Sequence, residues 1–426
     1  MQSVDVLFLV EHVARELDVA TCLAAKLKMQ FGIEAEVKSY YLNFERNLAR
    51  YRPAVVVFPF FYGADDFHPT EYLNRWPEAT MVNLAWEQIL MKVDVGLKTP
   101  RDSAARQQVY YACWTPAYRD FLAEHGTPSD HLLLTGNPVM KLYDAPYRSY
   151  FETRSVLAKR HGLDQDSKWI LFPESYQYAF MPDAQLQSLV ETQNADAELL
   201  AQARDYSERC LRDLFAWLGD LRAKDDPVFI FRPRPPTAPK QPSRLLRDIV
   251  GSRPKNIAII KSESVREWIL AADHVISSHS TTLIEAAVAG KPIHLFSPEI
   301  IPPALTAEWH GLVPLLKDKE GFLHALRRHP VEENCGPLAD WARGQFAGDD
   351  ALDMIATSIA QLFRDGRQKN QARLAPHARA TPSRILVEAM QKLRPRNRFD
   401  AFGSREVARR VSRWQRILAD EAPGNA

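Results

Sequence analysis

The sequence predicts an α/β protein built from two doubly wound sheets with a helical C-terminal extension, and three observations carry that prediction. Short apolar runs of strand length alternate with longer segments of helical period as far as about position 340, the pattern of parallel layers and not of a β-sandwich or a bundle. The alternation restarts after 137–150, a stretch rich in turn formers and aromatic residues, so one series closes there and another begins. At 426 residues the chain also exceeds what one hydrophobic core usually spans.

The first series reads as strands at 4–10, 34–39, 54–58, 81–85, 109–114 and 132–135. A helical segment at 15–30 follows the first strand and ends at Gly32, which takes a left-handed backbone at little steric cost. The second series reads as strands at 169–172, 228–231, 257–260, 274–277 and 293–296, with helices at 151–161, 196–223 and 265–271. Beyond about Asp340 the chain reads as helical and Arg-rich, broken at Pro382 and Pro395 and frayed over 421–426. The expected domains are therefore 1–150, 151–340 and 341–426. Two open sheets in one chain are expected to face each other across a cleft, with ligands beyond the carboxyl ends of their strands.

Charge and composition exclude several classes. With 54 basic residues against 53 acidic ones there is no overall field for a polyanion, and nucleic acid is not an expected partner. The Arg-rich tail from Lys392 to Arg416 reads either as a solvated face or as a peripheral contact with anionic lipid. Cys22, Cys113, Cys210 and Cys335 are far apart in sequence, which suggests neither a zinc site nor a disulfide framework. The first residues carry an acid inside a short apolar run and lack a basic lead, unlike a signal peptide, and no apolar run reaches spanning length. A cytoplasmic protein, at most peripheral to the inner membrane, is expected.

The richest segment is 274–296, which reads as strand, turn, short helix, stop and strand. Ser277, Ser278, Ser280, Thr281 and Thr282, with His279 among them, place hydroxyl donors at a helix start, where backbone N–H groups and the positive end of the helix dipole favour a phosphate. Thr282 and Glu285 have capping-box spacing, and Gly290 with Pro292 supplies the stop. Glu285 can also accept from ribose hydroxyls; alternatively, all these groups merely cap the helix.

Other candidates also sit where strands are expected to end. Arg232 and Arg234 follow the strand at 228–231 with prolines between and after them, and their guanidinium forks suit a phosphate or a sugar carboxylate, or else surface ion pairs. Glu174 ends the strand at 169–172 as a nucleophile, an orienting group or a solvated acid. Glu11 and His12 follow the first strand and Glu87 the fourth, so they are general-base candidates, with helix capping and structural pairing as the competing roles. Arg15 is placed to pair with Glu11 or Asp18. The pair Asp65-Asp66 lacks a metal-binding context, so neither a metal nor a cofactor is expected.

The run from Ala272 through Thr282 to Glu285-Ala286, with Gly290-Lys291-Pro292, resembles the donor-site segment of bacterial GT-B glycosyltransferases of surface carbohydrate biosynthesis. More weakly, 8–18, 83–88 and 134–138 are similar to segments of surface carbohydrate biosynthesis proteins. Where many of these transferases carry His-Pro, this chain has Arg232-Pro233-Arg234-Pro235. The resemblance implies two Rossmann-like domains, an N-terminal one for the acceptor and a C-terminal one for a nucleotide sugar. It further implies donor phosphate on the Ser/Thr residues and ribose on Glu285. Kdo from CMP-Kdo is the donor it suggests first, with a capsule or lipopolysaccharide glycan, free or lipid-linked, as acceptor. A CDP-glycerol-type polyol-phosphate transferase and a non-catalytic nucleotide-binding scaffold are the rival readings.

Overall fold

A computed structural model describes residues 2–63, 69–221, 223, 226–252, 254–328, 335–346, 348, 350–366 and 397–420. The chain forms two compact units. The first comprises Met1–Gln88, Lys98–Tyr150 and Gln345–Ala426, and the second Ile89–Leu97 and Phe151–Gly344.

The first unit contains β1 (Gln2–Val10), β2 (Ala35–Ser39), β3 (Tyr51–Phe58), β4 (Thr80–Asn83), β5 (Val109–Cys113) and β6 (Leu132–Leu134). They form one parallel sheet in the order β2-β1-β3-β4-β5-β6. The second unit contains β7 (Trp169–Pro173), β8 (Val228–Arg232), β9 (Ile257–Ile259), β10 (His274–Ser277), β11 (Ile293–Phe296) and β12 (Leu315–Leu316). Its parallel sheet runs β12-β11-β10-β7-β8-β9. Strands β4, β5, β7, β8 and β10 are buried along their whole length. Covering both faces of a parallel sheet in this way produces continuous apolar runs in place of alternation.

Both sheets reverse their strand order once. The first does so between β1 and β3, the second between β7 and β10. At such a switch point the connections leave in opposite directions, and a crevice opens beyond the strand ends.

The helix Val13–Phe31 leaves β1 and stops at Gly32, whose φ of 70° puts it in the left-handed region. It is covered by helices Ala351–Asp365 and Ser404–Ala419, so the C-terminal helices are part of the first unit. Trp414 is fully buried, stacks on Tyr150 at 3.8 Å with the rings 3° apart, and donates its indole N–H to Thr21 Oγ1 at 3.2 Å. Buried Asp18 receives Arg410 at 2.8 Å, a partner 392 positions away.

Several boundaries differ from expectation for local reasons. Strand β4 stops at Asn83, not at 85, because Ala85 has φ 45° and donates its N–H back to Asn83 Oδ1 at 2.8 Å. The helix expected at 151–161 starts at Arg154, and the one expected at 196–223 ends at Leu218. With only two residues, β12 carries no periodic signal. Asp65, Asp66, Pro382, Pro395 and 421–426 lie outside the described residues. No described helix is long and apolar enough to cross a membrane.

Candidate functional site

The candidate residues gather into two clusters, one at each switch point. In the first unit, β1 runs straight into Glu11 and His12, and His12 is the N-cap of helix Val13–Phe31. Arg15, one turn into the helix, is the hub. It donates to Glu11 Oε2 at 3.0 Å, to Glu16 Oε1 at 2.8 Å and to Glu87 Oε1 at 2.6 Å. Glu87 receives Lys98 Nζ on its other oxygen at 2.8 Å, and Glu11 receives Tyr41 OH on its other oxygen at 3.1 Å. Glu16, buried, accepts the Glu11 N–H at 2.7 Å.

Burial opposes charge on Arg15, but Glu16, Glu87 and Glu11 outweigh it and hold its pKa above the ordinary arginine value. Burial pushes Glu16 the other way, raising its pKa despite Arg15. Both oxygens of Glu87 are thus held by cations. Glu11 is bonded on both oxygens as well.

His12 stands apart from this cation-held set. Its Nδ1 lies 3.2 Å from Asp400 Oδ2, while Asp400 Oδ1 accepts the Val13 N–H at 3.0 Å. An ionised carboxylate only accepts, so Nδ1 carries the proton and the Nε2 of neutral His12 is left with its lone pair. Nε2 is 3.5 Å from Glu11 Oε1, and the side chain keeps 16% of its surface open. Burial lowers the His12 pKa, but Glu11 and Asp400 more than offset it and the net shift is upward. Sequence reasoning missed Asp400, which lies 388 positions away; no local pattern marks such a partner.

In the second unit, neighbouring strands β8, β7 and β10 end side by side and bring Arg232 and Arg234, Glu174, and the 277–282 turn into one row. Ser277 is buried and donates to Pro173 O at 2.5 Å, tying β10 to β7. The Ser278 hydroxyl is also committed. Ser297 Oγ donates to Glu299 O at 2.6 Å, so Tyr206 OH donates to Ser297 at 2.8 Å, and Ser278 Oγ lies 3.1 Å from Tyr206 OH and 3.4 Å from His279 Nδ1. Ser280 donates to Thr282 Oγ1 at 3.1 Å and accepts the Thr282 N–H at 3.2 Å. Thr281 is exposed.

The expected Thr282–Glu285 capping box does not form. Helix Thr282–Val288 has Thr281 at its N-cap position, so Thr282 is already helical and its N–H goes to Ser280. Glu285 instead lies 3.8 Å from Arg266, whose side chain is wholly buried and needs a counter-charge. Gly290 does end the segment, at φ 71°.

Arg232 also differs from the expected anion ligand. It is buried, and its two terminal nitrogens donate to the carbonyls of Ser262 and Glu263 at 2.7 and 2.5 Å. Burial brings its pKa down to about 10. Its guanidinium therefore braces the loop after β9, leaving Arg234, half-buried, as the cation of this strand end. Glu174 is buried; its Oε2 accepts the Arg234 N–H at 3.0 Å, Oε1 has no hydrogen-bond partner among the described residues, and burial raises its pKa. His279 is held down to about 3 by burial, reinforced by Arg234 and His310 nearby.

His310 was not singled out in the sequence. Its Nδ1 accepts the Ala307 N–H at 3.3 Å, and burial lowers its pKa to about 4, so the neutral ring carries its hydrogen on Nε2. That buried nitrogen has no partner among the described residues. Trp86, Trp114, Tyr176 and Tyr178, aromatic residues near strand ends, are all buried in the core. Among the described residues no cluster of three or more His, Cys, Asp or Glu is arranged to hold a metal.

Two parallel six-stranded sheets followed by C-terminal helices make an α/β fold of the GT-B type. The chain is similar in fold to the wall teichoic acid polymerase TagF, with a TM-score of 0.56 at 14% identity over 85% of this chain and 89% of that one. A TagF variant soaked with CDPG gives 0.55 at 12% over the same shares. The S. aureus MnaA–UDP co-structure matches with a TM-score of 0.50 at 12% identity, over 88% of this chain and 100% of that one. No family model matches the sequence, and no curated protein does.

Proposed function

We propose that this chain is a GT-B glycosyltransferase that moves a sugar from a nucleotide-activated donor to a surface glycan. The observation that carries the reading is the His12–Asp400 pair at the switch point of the first sheet, a ready proton acceptor at the place where open α/β sheets bind ligands. The fold shared with TagF, soaked with CDPG, and with MnaA, bound to UDP, supports a nucleotide-linked substrate.

Residues 1–150 act in this reading as the acceptor domain and 151–340 as the donor domain, with 341–426 as the helical extension. The acceptor hydroxyl attacks the anomeric carbon, its proton passes to His12 Nε2, and the bond from that carbon to the donor phosphate breaks with its electron pair leaving on the nucleotide. The base is His12 and not Glu11 or Glu87, because their oxygens are already held by Arg15, Tyr41 and Lys98. Arg234, Thr281, Thr282 and His310 receive the departing phosphate without a metal, while Ser277, Ser278 and Arg232 hold the strand ends in place.

CMP-Kdo is the first donor to test and CDP-glycerol the second. Both release CMP, so the decisive measurement follows phosphate. A Kdo transferase leaves none in the product, whereas a polyol-phosphate transferase puts it there. The screen pairs these donors and UDP-sugars with lipid-linked glycan acceptors, and co-sedimentation with anionic vesicles tests membrane contact by the basic tail. Binding of a nucleotide without turnover would favour a scaffold. A UDP-sugar isomerised without transfer, or no nucleotide binding at all, would overturn the transferase reading.

A further inference from the structure

We infer that Asp400, delivered by the C-terminal segment, is the positioning residue of the proton acceptor: its carboxylate fixes the tautomer of His12 while capping the helix that His12 opens. The inference rests on the proposal that His12 takes the acceptor proton, and it extends the site to a part of the chain that no sequence motif marks.

The geometry divides the two oxygens of Asp400 between two donors. Oδ1 takes the Val13 N–H at 3.0 Å and Oδ2 faces His12 Nδ1 at 3.2 Å. His12 occupies the N-cap position with extended backbone, φ −117° and ψ 114°, and its own side chain does not cap. Asp400 therefore supplies, from 387 positions away, the oxygen that a Ser, Thr or Asp would ordinarily supply at the cap itself. One carboxylate thus sets both where the helix starts and which ring nitrogen carries the proton.

The placement is secured by buried contacts further along the same segment. Helix Ser404–Ala419 is pinned to helix Val13–Phe31 by Trp414 on Thr21 and by Arg410 on Asp18, and Trp414 also stacks on Tyr150. Among the described residues, the charged groups around the imidazole are Glu11 beside Nε2, Arg15 and Glu16 on its own helix, and Asp400 opposite.

Asp400→Asn tests the inference because the Val13 N–H constrains the amide. Its oxygen must stay on Val13 to keep the cap, which turns the NH2 group toward His12 Nδ1. A donor at that position makes Nδ1 the acceptor and moves the ring hydrogen to Nε2, leaving the wrong nitrogen free. In the full-length chain the variant is expected to unfold at the parental temperature. Its His12 ring 15N shifts should report the Nε2–H tautomer in place of Nδ1–H, and kcat should fall roughly 100-fold or more with KM nearly unchanged. Turnover is read with CMP-Kdo, or with CDP-glycerol where the phosphate assay selects it.

An Asp400→Asn chain that keeps the Nδ1–H tautomer, or flips it and retains kcat and its pH profile, overturns the inference while leaving His12 as base. His12→Asn separates the two claims: normal turnover in that variant removes the base reading and the inference with it. Should Asp400→Asn lower the unfolding temperature, its turnover and His12 ring 15N shifts are read at a temperature where both chains are fully folded, and a kcat equal to the parent's there again overturns the inference.

Discussion

The two switch points hold the same place in their sheets but opposite kinds of chemistry. Beyond β1 the chain concentrates full charges: Glu11, Arg15, Glu16, Glu87, Lys98 and Asp400 all belong to one hydrogen-bonded network around His12. Beyond β7 and β10 the buried groups are neutral hydroxyls and rings, with His279 and His310 held down to about 3 and about 4 and Glu174 pushed up. A cluster in which Glu11, Glu16, Glu87 and Asp400 outnumber Arg15 and Lys98 suits proton transfer, because the acids beside His12 stabilise the imidazolium that an arriving proton creates. A cluster of neutral donors suits an anion, because the ligand brings the charge.

The sharpest way to break this contrast is His12→Asn. If the charged cluster handles the proton, kcat falls by about 10²–10⁴-fold with folding intact, measured by nucleotide release. Next in size is Arg232→Met, which leaves the carbonyls of Ser262 and Glu263 without their donor and is expected to cost on the order of 3 kcal/mol in denaturant unfolding. Loss of donor affinity with unchanged stability would instead return Arg232 to the phosphate.

A third test uses pH. The His279 pKa is depressed in the folded state, so its contribution to stability is present above 6.5 and is lost as pH falls from 6.5 toward about 3. His279→Gln should therefore lose less stability than the parent between about pH 7 and about pH 5 in urea titrations. Smallest is Thr281→Ala, at an exposed position outside the core. It should weaken nucleotide binding by about 1 kcal/mol, roughly fivefold by calorimetry, without moving the unfolding temperature.

The fold was legible because parallel strands buried on both faces write themselves as apolar runs. Eleven of the twelve strands fall where such runs lie, and β12 escapes because two residues carry no period. Glu11, His12, Glu87, Glu174, Arg234 and the 277–282 turn all sit at or just beyond strand ends, as expected. Less legible was what each side chain touches. Thr282 and Glu285 have the spacing of a capping box, yet that box requires Thr282 to be the cap, and the helix starts there instead. The true box in this region is one helix earlier, where Glu267 reaches the Ser264 N–H at 3.1 Å. Arg232 reads like an anion ligand until the loop after β9 is seen to close over it. Asp400 and His310 were invisible because their roles come from tertiary contacts alone.

The stacking of Trp414 on Tyr150 has a consequence for how the molecule is made. Emerging from a ribosome, the helix Val13–Phe31 must wait until helix Ser404–Ala419 has been made before that helix can cover it. Contacts of such high sequence separation are slow to form, because the long loop has to close first. The second unit, contiguous from Phe151 to Gly344 apart from Ile89–Leu97, carries no such delay. His12 thus meets Asp400 only after the residues between them have been made, so a shorter growing polypeptide holds the 277–282 turn long before it holds the His12–Asp400 pair.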